Sequence, residues 1–445
     1  MTRVSFYTLG CKLNYAETRS IQQDFERRDF EVVPFGAPAD VSVINTCTVT
    51  RTAEAKARKM IRRAVRDRPD TFVIVTGCYA QLRPEELAAI DGVDVVLGAQ
   101  EKFRLFALVD SFAKPEQTQV HVSCIDEADT FGPAASNGSR TRAFLKVQDG
   151  CDYTCSFCTI PKARGPSRSP SVAATLAQAR QLVAEGYTEI VLTGINIGLY
   201  GHDRDAEVSL LDLIRTLDDV DGLERARISS IEPNLLTDAI IAFVAESDTF
   251  QPHFHIPLQS GDNDVLGAMR RRYQRDVYAD RVATIRERMP DAGIGCDVIV
   301  GFPAEDEARF ENSYRFINEL PVTYLHVFTY SERPGTAAVD QPERVGGSRV
   351  PKPERSRRNK MLRTLSKKKE HAFAQTQADR VRPVLWEAVQ ENGFMYGYTD
   401  NYIRVRRDAD PQREGLIEDV RLGPINNDGT VRAEDADFIP IAVES

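Results

Sequence analysis

The first 115 residues alternate short apolar runs with longer stretches whose apolar positions recur at helical spacing. Apolar runs cover residues 4–11, 41–47 and 72–78, and each run ends in a cysteine. The intervals between them hold one helix each, because a connection between parallel strands needs a dozen or more residues. The pattern predicts an N-terminal open parallel α/β domain over residues 1–115.

Six further apolar runs follow between residues 141 and 372, and helical patterns separate them. Repeated strand and helix units of this length predict a parallel barrel. Six units rather than the roughly eight of a full barrel predict an incomplete one with a lateral opening. The fold class is therefore α/β with a central partial (β/α)6 barrel. The predicted strands are residues 142–147, 189–197, 225–231, 253–258, 293–300 and 323–330, and the predicted helices include 172–185, 210–217 and 309–320.

The segments on either side of this barrel have different patterns. Residues 116–140 are predicted to be a linker, because residues 126–140 are polar and contain Gly, Pro and Ser. From residue 373 to 445 the chain forms short alternating segments, which predict a small antiparallel β-barrel similar in layout to oligonucleotide-binding barrels. The segments are 384–389, 394–398, 402–406, 415–421 and 430–433, with turns at 391–393 and 426–429.

Composition adds limits to this picture. A chain of 445 residues predicts about three domains. No uncharged apolar run approaches the roughly 18 residues of a membrane span, and no basic and then apolar signal region opens the chain. We therefore expect a cytoplasmic protein that contacts no membrane. The net charge of −9 argues against nucleic-acid binding over the whole surface, although local charge matters more.

Three cysteines, Cys151, Cys155 and Cys158, lie close together after a predicted strand and are called the loop cysteines. Their CxxxCxxC spacing suits three irons of a 4Fe–4S cluster and leaves the fourth iron open to a small molecule. A zinc site or three buried thiols are the alternatives. Zinc usually takes a fourth Cys or His close by, whereas the next histidine is His202. We therefore predict an iron–sulfur cluster here.

Three more cysteines, Cys11, Cys47 and Cys78, end the N-terminal apolar runs at intervals of 36 and 31 residues and are called the strand-end cysteines. The carboxyl ends of parallel strands share one edge of a sheet, where open α/β sheets bind ligands. The three thiols are predicted to meet at that edge and hold a second metal centre, although ordinary core cysteines are the alternative. Cys124 and Cys296 lie in other apolar runs and are predicted to be structural.

Polar and glycine-containing segments follow several predicted barrel strands. The carboxyl ends of barrel strands carry the functional groups of such folds. Each segment alone is more often a turn than a ligand contact, but their shared position predicts a cofactor-binding rim. A run of three arginines at 270–272 could neutralise a carboxylate or phosphate, or form a surface patch. The candidate cofactor-binding residues are Thr193, Gly194, Ser230, Glu232, Arg272 and Gly301.

Two basic segments suit a polyanionic partner. Residues 51–68 contain eight Lys and Arg against two acids on a predicted helix, and residues 344–382 contain thirteen against three. Lys and Arg replace the counterions of a nucleic acid, although charged helices are usually solvated faces. The C-terminal barrel interleaves aromatic and basic residues, which suits RNA, with core aromatics as the alternative. The candidate RNA-binding residues are Arg62, Arg63, Arg66, Tyr398, Tyr402 and Arg404.

Over essentially its whole length, the chain resembles the methylthiotransferases of the radical S-adenosylmethionine superfamily. Three segments, GCKLN, TCTVT and LTGINIG, resemble the MtaB branch, which modifies N6-threonylcarbamoyladenosine immediately 3′ of the tRNA anticodon. The motifs that carry the family resemblance are 8–14 (TLGCKLN), 45–50 (NTCTVT), 76–81 (TGCYAQ), 150–158 (GCDYTCSFC), 255–261 (HIPLQSG), 297–303 (DVIVGFP) and 330–336 (YSERPGT).

The resemblance implies two 4Fe–4S clusters and S-adenosylmethionine as cofactors. The loop cysteines would hold the cluster that cleaves S-adenosylmethionine to a 5′-deoxyadenosyl radical. The strand-end cysteines would hold a cluster that presents sulfur for methylation, and no protein acid or base is certain. The implied partners are tRNA, an electron donor of the flavodoxin or ferredoxin type and a sulfur donor, with the C-terminal barrel as the family's tRNA-binding TRAM domain.

Three alternatives stay open from the sequence. The first is methylthiolation of N6-isopentenyladenosine in tRNA, and the second is methylthiolation of a ribosomal protein aspartate. The third is a non-enzymatic iron–sulfur module that binds RNA. Cleavage of S-adenosylmethionine by the reduced protein separates the enzymes from the binding module.

Overall fold

The computed structural model of the chain describes residues 1–136, 141–204, 208–388 and 393–436. Parts of three sequence predictions lie outside the described residues: the end of the predicted linker at 137–140, residue 389 with the turn at 391–392, and the chain after residue 436. Among the described residues, no helix is long and apolar enough to cross a membrane.

The N-terminal domain is a six-stranded parallel sheet, as the alternating pattern predicts. Its spatial order is β2-β1-β3-β4-β5-β6. The strands are β1 (Arg3–Thr8), β2 (Glu31–Val33), β3 (Val41–Thr46), β4 (Phe72–Gly77), β5 (Val95–Leu97) and β6 (Gln119–His121). The helices are α1 (Lys12–Glu26), α2 (Arg51–Asp67), α3 (Cys78–Leu82), α4 (Pro84–Ala88) and α5 (Leu105–Leu108).

The two central strands of this sheet are apolar on both faces. Ile44 and Val75 pack in one apolar cluster, while Val43 and Ile74 pack in a second cluster on the other side of the sheet. Successive strand residues point to opposite faces, so both faces are covered, as expected for a parallel sheet. The strand ends are therefore the part of β3 and β4 left for ligand contacts.

The segment predicted as a linker contributes to two sheets. Residues 119–121 form β6, which pairs with β5 in parallel. Residues 135–136 form β7 (Ala135–Ser136), which pairs antiparallel with the first barrel strand. Cys124 follows β6 outside any strand and is exposed, so the prediction of a structural cysteine in an apolar strand is wrong there.

The central domain contains the six predicted strands in two parallel ladders, β10-β9-β8 and β11-β12-β13. A parallel bridge between Ala226 and Phe250 links the two ladders and makes one arc. The strands are β8 (Arg142–Lys146), β9 (Glu189–Thr193), β10 (Arg225–Ile228), β11 (His253–Gln259), β12 (Gly293–Val300) and β13 (Tyr324–Thr329). The helices are α6 (Ile160–Arg164), α7 (Val172–Ala184), α8 (Leu210–Asp218), α9 (Asp238–Glu246), α10 (Asn263–Ala268), α11 (Arg275–Arg288), α12 (Glu307–Glu319), α13 (Ala337–Asp340), α14 (Pro342–Val345) and α15 (Lys352–Thr376).

The C-terminal domain is a closed five-stranded barrel of order β14-β15-β16-β18-β17. The barrel is mixed rather than wholly antiparallel as predicted, because its third and last strands pair in parallel through Val405 and Val431. A local sequence pattern does not encode which distant strands close a barrel. The strands are β14 (Val381–Trp386), β15 (Phe394–Thr399), β16 (Arg404–Asp408), β17 (Ile417–Ile425) and β18 (Val431–Asp435).

Candidate functional site

The loop cysteines lie on the segment that follows β8. Gly150 begins this segment with φ +72°, and a Cβ atom there would lie 1.9 Å from the carbonyl oxygen of Pro166. Glycine is the residue that tolerates both conditions. The main-chain N–H groups of Tyr153 and Ile160 donate to the Sγ atoms of Cys151 and Cys158, each at 3.4 Å. The loop is therefore folded around its own sulfur atoms.

Burial keeps the loop cysteines in the thiol form when no metal is bound. Burial raises the pKa of Cys151 to about 11 and that of Cys158 to about 12. Burial also raises the pKa of Cys155, although Arg271 lies beside it and donates from Nη1 to its Sγ at 3.2 Å. Free thiols here stay protonated at neutral pH, and a bound metal would deprotonate them.

The strand-end cysteines occupy the predicted edge of the N-terminal sheet. Cys11 precedes α1, Cys47 directly follows β3, and Cys78 begins α3. A Cβ atom on Gly10 would lie 3.3 Å from the Sγ of Cys47, so the first two segments are in contact. Burial raises the pKa of Cys47 to about 12, with further contributions from the negative charges that Cys78 and Cys11 would carry. The three thiols thus share one environment.

The spacing of the thiols argues against a single zinc ion in either cysteine set. Among the described residues, the one group of at least three ligating side chains whose atoms all lie within 4.8 Å of one another is His255, Asp297 and His326. At least two thiols in each cysteine set are therefore more than 4.8 Å apart. A tetrahedral zinc ion with Zn–S bonds of about 2.3 Å would hold its sulfur atoms closer than this. Each set supplies the three thiols that a 4Fe–4S cube with one open iron takes.

One arginine joins the two cysteine regions. Arg164, at the end of α6, donates from Nε to the Sγ of Cys78 at 3.2 Å. Its Nη1 donates to Glu17 at 2.8 Å and to Asp149 at 3.0 Å, and Asp149 lies just before the loop cysteines. Its Nη2 donates to the side chain of Asn14 at 2.7 Å. Sequence reasoning missed Arg164 because its partners are distant in the chain.

Arg164 belongs to a buried ionic cluster centred on Glu17. Lys102 and Lys146 also contact the Glu17 carboxylate, at 2.6 and 3.1 Å, and all three side chains have no solvent exposure. Burial alone would raise the pKa of Glu17, but Arg164 and the two lysines hold it well below its usual value. The N-terminal sheet and the barrel are therefore joined through an ionised buried carboxylate.

The predicted rim residues Thr193 and Gly194 lie at the end of β9, beside the base of the cysteine loop. Thr193 is buried, and its carbonyl accepts the N–H of Val147 at 2.9 Å. A Cβ atom on Gly194 would lie 3.0 Å from Gln148, whose side-chain oxygen accepts the N–H of Asn196 at 2.8 Å. Asn196 lies in the predicted rim segment 193–196, whereas Gln148 was not predicted although it stands just after a predicted strand.

Glu232 and Arg272 lie on either side of the loop cysteines. Glu232 is ion-paired with Arg271, the arginine that contacts Cys155, and burial raises the pKa of its carboxyl group. Arg272 is exposed, donates to the carbonyl of Asp152 at 2.9 Å and lies 4.1 Å from the Tyr153 ring. Arg272 therefore contacts the cysteine loop.

Gly301 ends β12 with φ +77°, and its N–H donates to the carboxylate of Glu305. A Cβ atom on Gly301 would lie 2.3 Å from Cγ of Arg355, so the close packing requires glycine. Ser230 is half-buried just beyond β10. Both positions are at strand ends, as predicted. Gly301, however, packs against the side chains of Arg355 and Glu305.

A cavity of about 260 Å³ separates the N-terminal domain from the top of the barrel. One wall comes from the segment after Cys47, and the opposite wall combines the cysteine loop with the last three barrel strands. Its lining includes Val49, Thr50, Cys158, Gln259, Asp297 and Phe328. A group bound in this cavity would therefore lie between the two cysteine sets.

Comparisons with known proteins identify the family of this chain. A model described as the Radical SAM superfamily matches residues 145–317, and one described as Uncharacterized protein family UPF0004 matches residues 3–98. A threonylcarbamoyladenosine tRNA methylthiotransferase MtaB of Bacillus subtilis is 42% identical over 431 residues, which cover 95% of this chain and 94% of the relative. The chain belongs to the radical S-adenosylmethionine methylthiotransferases. The radical SAM match implies a 4Fe–4S cluster and S-adenosylmethionine as cofactors of the barrel.

Other relatives of this methylthiotransferase include one with a different named product. An MtaB protein of Aquifex aeolicus is 36% identical and is matched over 92% of this chain and 97% of its own length. A tRNA-2-methylthio-N(6)-dimethylallyladenosine synthase of Syntrophotalea carbinolica is 32% identical, with 94% and 97% covered. The solved radical S-adenosylmethionine methyltransferase TsrM of Kitasatospora setae shares the fold, at 15% identity and a TM-score of 0.56, over 74% of this chain and 75% of its own.

The basic helix of this methylthiotransferase presents its charges to solvent. Thr50 caps α2 by accepting the N–H of Ala53, and the buried side of the helix is a narrow stripe. Arg62, Arg63 and Arg66 are exposed on the remaining face. Arg63 and Arg66 both contact Asp67, at 3.2 and 3.0 Å, and contacts of this exposed kind contribute little to stability. The face is free to contact a phosphate backbone.

Much of the second basic segment is used inside the protein. Arg355 is buried and ion-paired with Glu332, and Arg358 is buried and contacts Glu305 at 3.3 Å. These arginines hold α15 against the barrel. The exposed positive charge of this segment is therefore smaller than its composition suggests.

The aromatic candidates for RNA binding contact the central barrel instead of forming an exposed platform. Tyr398 and Tyr402 stack with ring centroids 4.7 Å apart, and Tyr402 stacks on His253 of β11 at 4.1 Å. The guanidinium of Arg227 in β10 donates to the carbonyl of Thr399 at 2.9 Å. The two tyrosines therefore fasten the C-terminal barrel to the central one. Arg404 is exposed and lies 4.4 Å from the Tyr396 ring.

Proposed function

We propose that this protein transfers a methylthio group to C2 of the adenine in N6-threonylcarbamoyladenosine, next to the anticodon of tRNA. The observation that carries the proposal is the cavity, because it is lined by Cys158 of the loop cysteines and by Val49, two residues after Cys47 of the strand-end cysteines. The MtaB relatives, whose names state this substrate, match nearly the whole chain and support the same choice.

The loop cysteines and the strand-end cysteines would each hold one 4Fe–4S cluster. When bound, the first cluster supplies the electron that cleaves S-adenosylmethionine to a 5′-deoxyadenosyl radical, and the second carries the sulfur that is methylated and transferred. Arg271 and Arg164 donate hydrogen bonds to Cys155 and Cys78, and therefore stabilise the negative charge of each thiolate set.

The residues around the loop cysteines would bind and orient S-adenosylmethionine. Asn196 lies 3.9 Å from the sulfur of Cys151, and Glu232 lies beside Arg271. Their amide and carboxylate groups suit the amino, carboxylate and ribose groups of the cofactor. Phe157 and Ile299 line the cavity and would exclude water from the reacting atoms. Thr193, Gly194, Ser230 and Gly301 would shape the strand ends, and Arg272 would support the cysteine loop.

The tRNA would contact the exposed arginines of α2 and Arg404 of the C-terminal barrel. The reaction also requires an electron donor, for which we propose a flavodoxin or ferredoxin, and a donor that replaces the transferred sulfur. The second candidate substrate is N6-dimethylallyladenosine, which the name of the Syntrophotalea relative favours at a lower identity of 32%.

Nucleoside analysis of tRNA by mass spectrometry tests the proposal. A strain that lacks this protein is expected to lose 2-methylthio-N6-threonylcarbamoyladenosine and to accumulate the form without the methylthio group. Expression of the wild-type protein should restore the product, whereas the Cys155→Ala variant should not. Loss of the dimethylallyl derivative instead would contradict the proposed substrate, and no change in either nucleoside would point to a protein substrate or to a binding module.

A further inference from the structure

Three polar side chains meet on the inner wall of the barrel, below the cavity. His255 of β11 and His326 of β13 both contact Oδ1 of Asp297 in β12, at 2.8 and 3.3 Å. Burial alone would raise the pKa of Asp297, but the hydrogen bonds from the two histidines hold it well below its usual value. The carboxylate is therefore ionised and is held in place from both neighbouring strands.

Tyr324, whose ring packs over Gly295, holds His255 of this cluster in place. Tyr324 Oη lies 3.3 Å from Nδ1 of His255 and 2.9 Å from Nε2 of His253. The Tyr324 ring crosses Gly295, where a Cβ atom would lie 2.3 Å from the hydroxyl oxygen. Both ring nitrogens of His255 are thus occupied by protein groups, so His255 is a support and not the contact for a ligand.

His326 is the member of the cluster that is available for binding. Its side chain is 55% exposed, and its Nδ1 is the atom that faces Asp297. No hydrogen-bond partner of Nε2 occurs among the described residues. Phe328 is two positions further along β13 and lines the cavity, so His326 lies on the same face of the strand.

Gln259 adds an amide to the same wall. The ladder between β11 and β12 is irregular between Pro257 and Gln259, and Gln259 has φ +68°. A non-glycine residue in this conformation is strained, and such strain is concentrated at binding sites. Bulges next to active sites re-aim side chains, and here Gln259 and Asp297 both line the cavity.

We propose that His326, Asp297 and Gln259 form a binding subsite for the threonylcarbamoyl group of the substrate. This group carries a carboxylate, a hydroxyl and the N–H and C=O of a urea. Gln259 donates its side-chain N–H to the carboxylate. Nδ1–H of His326 donates to Asp297, so its Nε2 accepts from the hydroxyl, and Asp297 accepts from a urea N–H. The inference rests on the proposed function and extends it to the residues that recognise the substituent.

The same subsite disfavours the other substituent named among the relatives. A dimethylallyl group has no hydrogen-bonding atom, so it would displace water from Asp297 and His326 without replacing the lost contacts. Sites built around polar groups reject analogues that leave those groups unpaired. The polar cluster would therefore discriminate between two substrates that share the same adenine ring.

Binding of synthetic anticodon stem-loop RNAs to the holoenzyme tests the subsite. Three RNAs differ only at the modified position, which is threonylcarbamoyladenosine, adenosine or dimethylallyladenosine, and affinities are measured with EDTA present. The wild-type protein is expected to prefer the threonylcarbamoyl RNA over the adenosine RNA. His326→Ala should reduce that preference by up to about tenfold, as expected for the loss of one hydrogen bond. Its affinity for the adenosine RNA should stay unchanged.

Two further variants make the outcome decisive. His202→Ala removes an exposed histidine away from the cavity and should keep the full preference. Asp297→Asn should reduce the preference for the threonylcarbamoyl RNA. The affinity for the dimethylallyl RNA should become closer to the affinity for the threonylcarbamoyl RNA. An unchanged preference in His326→Ala would overturn the subsite, and so would a preference that EDTA abolishes, because the His255, Asp297 and His326 cluster would then hold a metal ion. A wild-type protein without any preference would instead contradict the proposed substrate.

Discussion

Arg164 donates a hydrogen bond to Cys78 from one edge of its guanidinium and contacts Asp149 from the other, at 3.2 and 3.0 Å. Cys78 belongs to the strand-end cysteines, and Asp149 lies two residues before the first loop cysteine. The guanidinium is planar and rigid, so it fixes the distance between these two segments. This buried side chain therefore helps to set the relative position of the two proposed clusters.

We expect Arg164→Lys to change the second cluster selectively. Lysine keeps the positive charge beside Glu17 but loses the fork that reaches Cys78 and Asn14 together. Hydrogen bonds to cluster sulfur raise its reduction potential, so the potential of the second cluster should become more negative. Redox titration followed by electron paramagnetic resonance measures this change. The matched variant Arg271→Lys should change only the reduction potential of the cluster held by the loop cysteines. If each variant instead changed the potential of the other cluster, the assignment of Arg164 to the second cluster would be refuted.

Replacement of Glu17 by glutamine should destabilise the protein strongly. The change leaves Lys102, Lys146 and Arg164 buried with less compensating charge. Removal of one partner of a buried ion pair lowers the free energy of unfolding by about 3–5 kcal/mol. Thermal unfolding of the cluster-free protein measures the loss. Glu26→Gln on the same helix is the control, since its contact with Arg19 is exposed, and a similar loss in both variants would contradict a central role for Glu17.

The two cysteine sets should be separable by mutation. Cys155→Ala is expected to remove about half of the bound iron and to abolish 5′-deoxyadenosine formation, since three thiols hold each cluster. Cys47→Ala should also lose about half of the iron but should still cleave S-adenosylmethionine without methylthiolation. Iron analysis and product chromatography measure both effects. A full complement of iron in Cys47→Ala would exclude the strand-end site.

Replacement of Arg62, Arg63 and Arg66 by alanine should weaken tRNA binding and flatten its dependence on salt. The slope of log affinity against log salt is expected to fall by roughly 0.7–0.9 for each lost phosphate contact. Affinity measured at several salt concentrations gives the slope. The control variant replaces Arg180, Arg215 and Arg288 by alanine. These arginines are exposed on the barrel helices, so the control loses the same three positive charges away from α2. Equal slopes for the two triple variants would show that α2 is not a docking surface.

Glu305 should make stability depend on pH. Burial raises its pKa to about 7, compared with roughly 4.3 in an unfolded chain. Because the folded pKa is the higher one, the carboxyl group stabilises the fold below about pH 4 and loses this contribution as the pH rises through about 7, by up to about 4 kcal/mol. Glu305→Gln should therefore lose less stability than the wild-type protein between pH 5 and 8. Thermal unfolding at both pH values tests this, with Glu319→Gln as the exposed control on α12.

Sequence patterns determined the fold class, the six barrel strands and the grouping of the cysteines. Strand and helix periodicity is local, and a parallel sheet brings the ends of its strands to one edge, so the sequence alone predicts that Cys11, Cys47 and Cys78 share that edge. The loop cysteines are close in the chain itself. The short alternating segments at the C-terminus likewise predicted a barrel, but not its parallel pair of strands.

Tertiary structure alone decided which side chains share these sites. Arg164 reaches Cys78 across 86 positions of the chain, and Tyr402 stacks on His253 from another domain. No local pattern distinguishes such residues from solvated ones, because their contacts depend on how whole domains pack. The same reason explains why Tyr398 and Tyr402 were predicted for RNA and found between the barrels, while His326 became a candidate only when three strands brought it to Asp297.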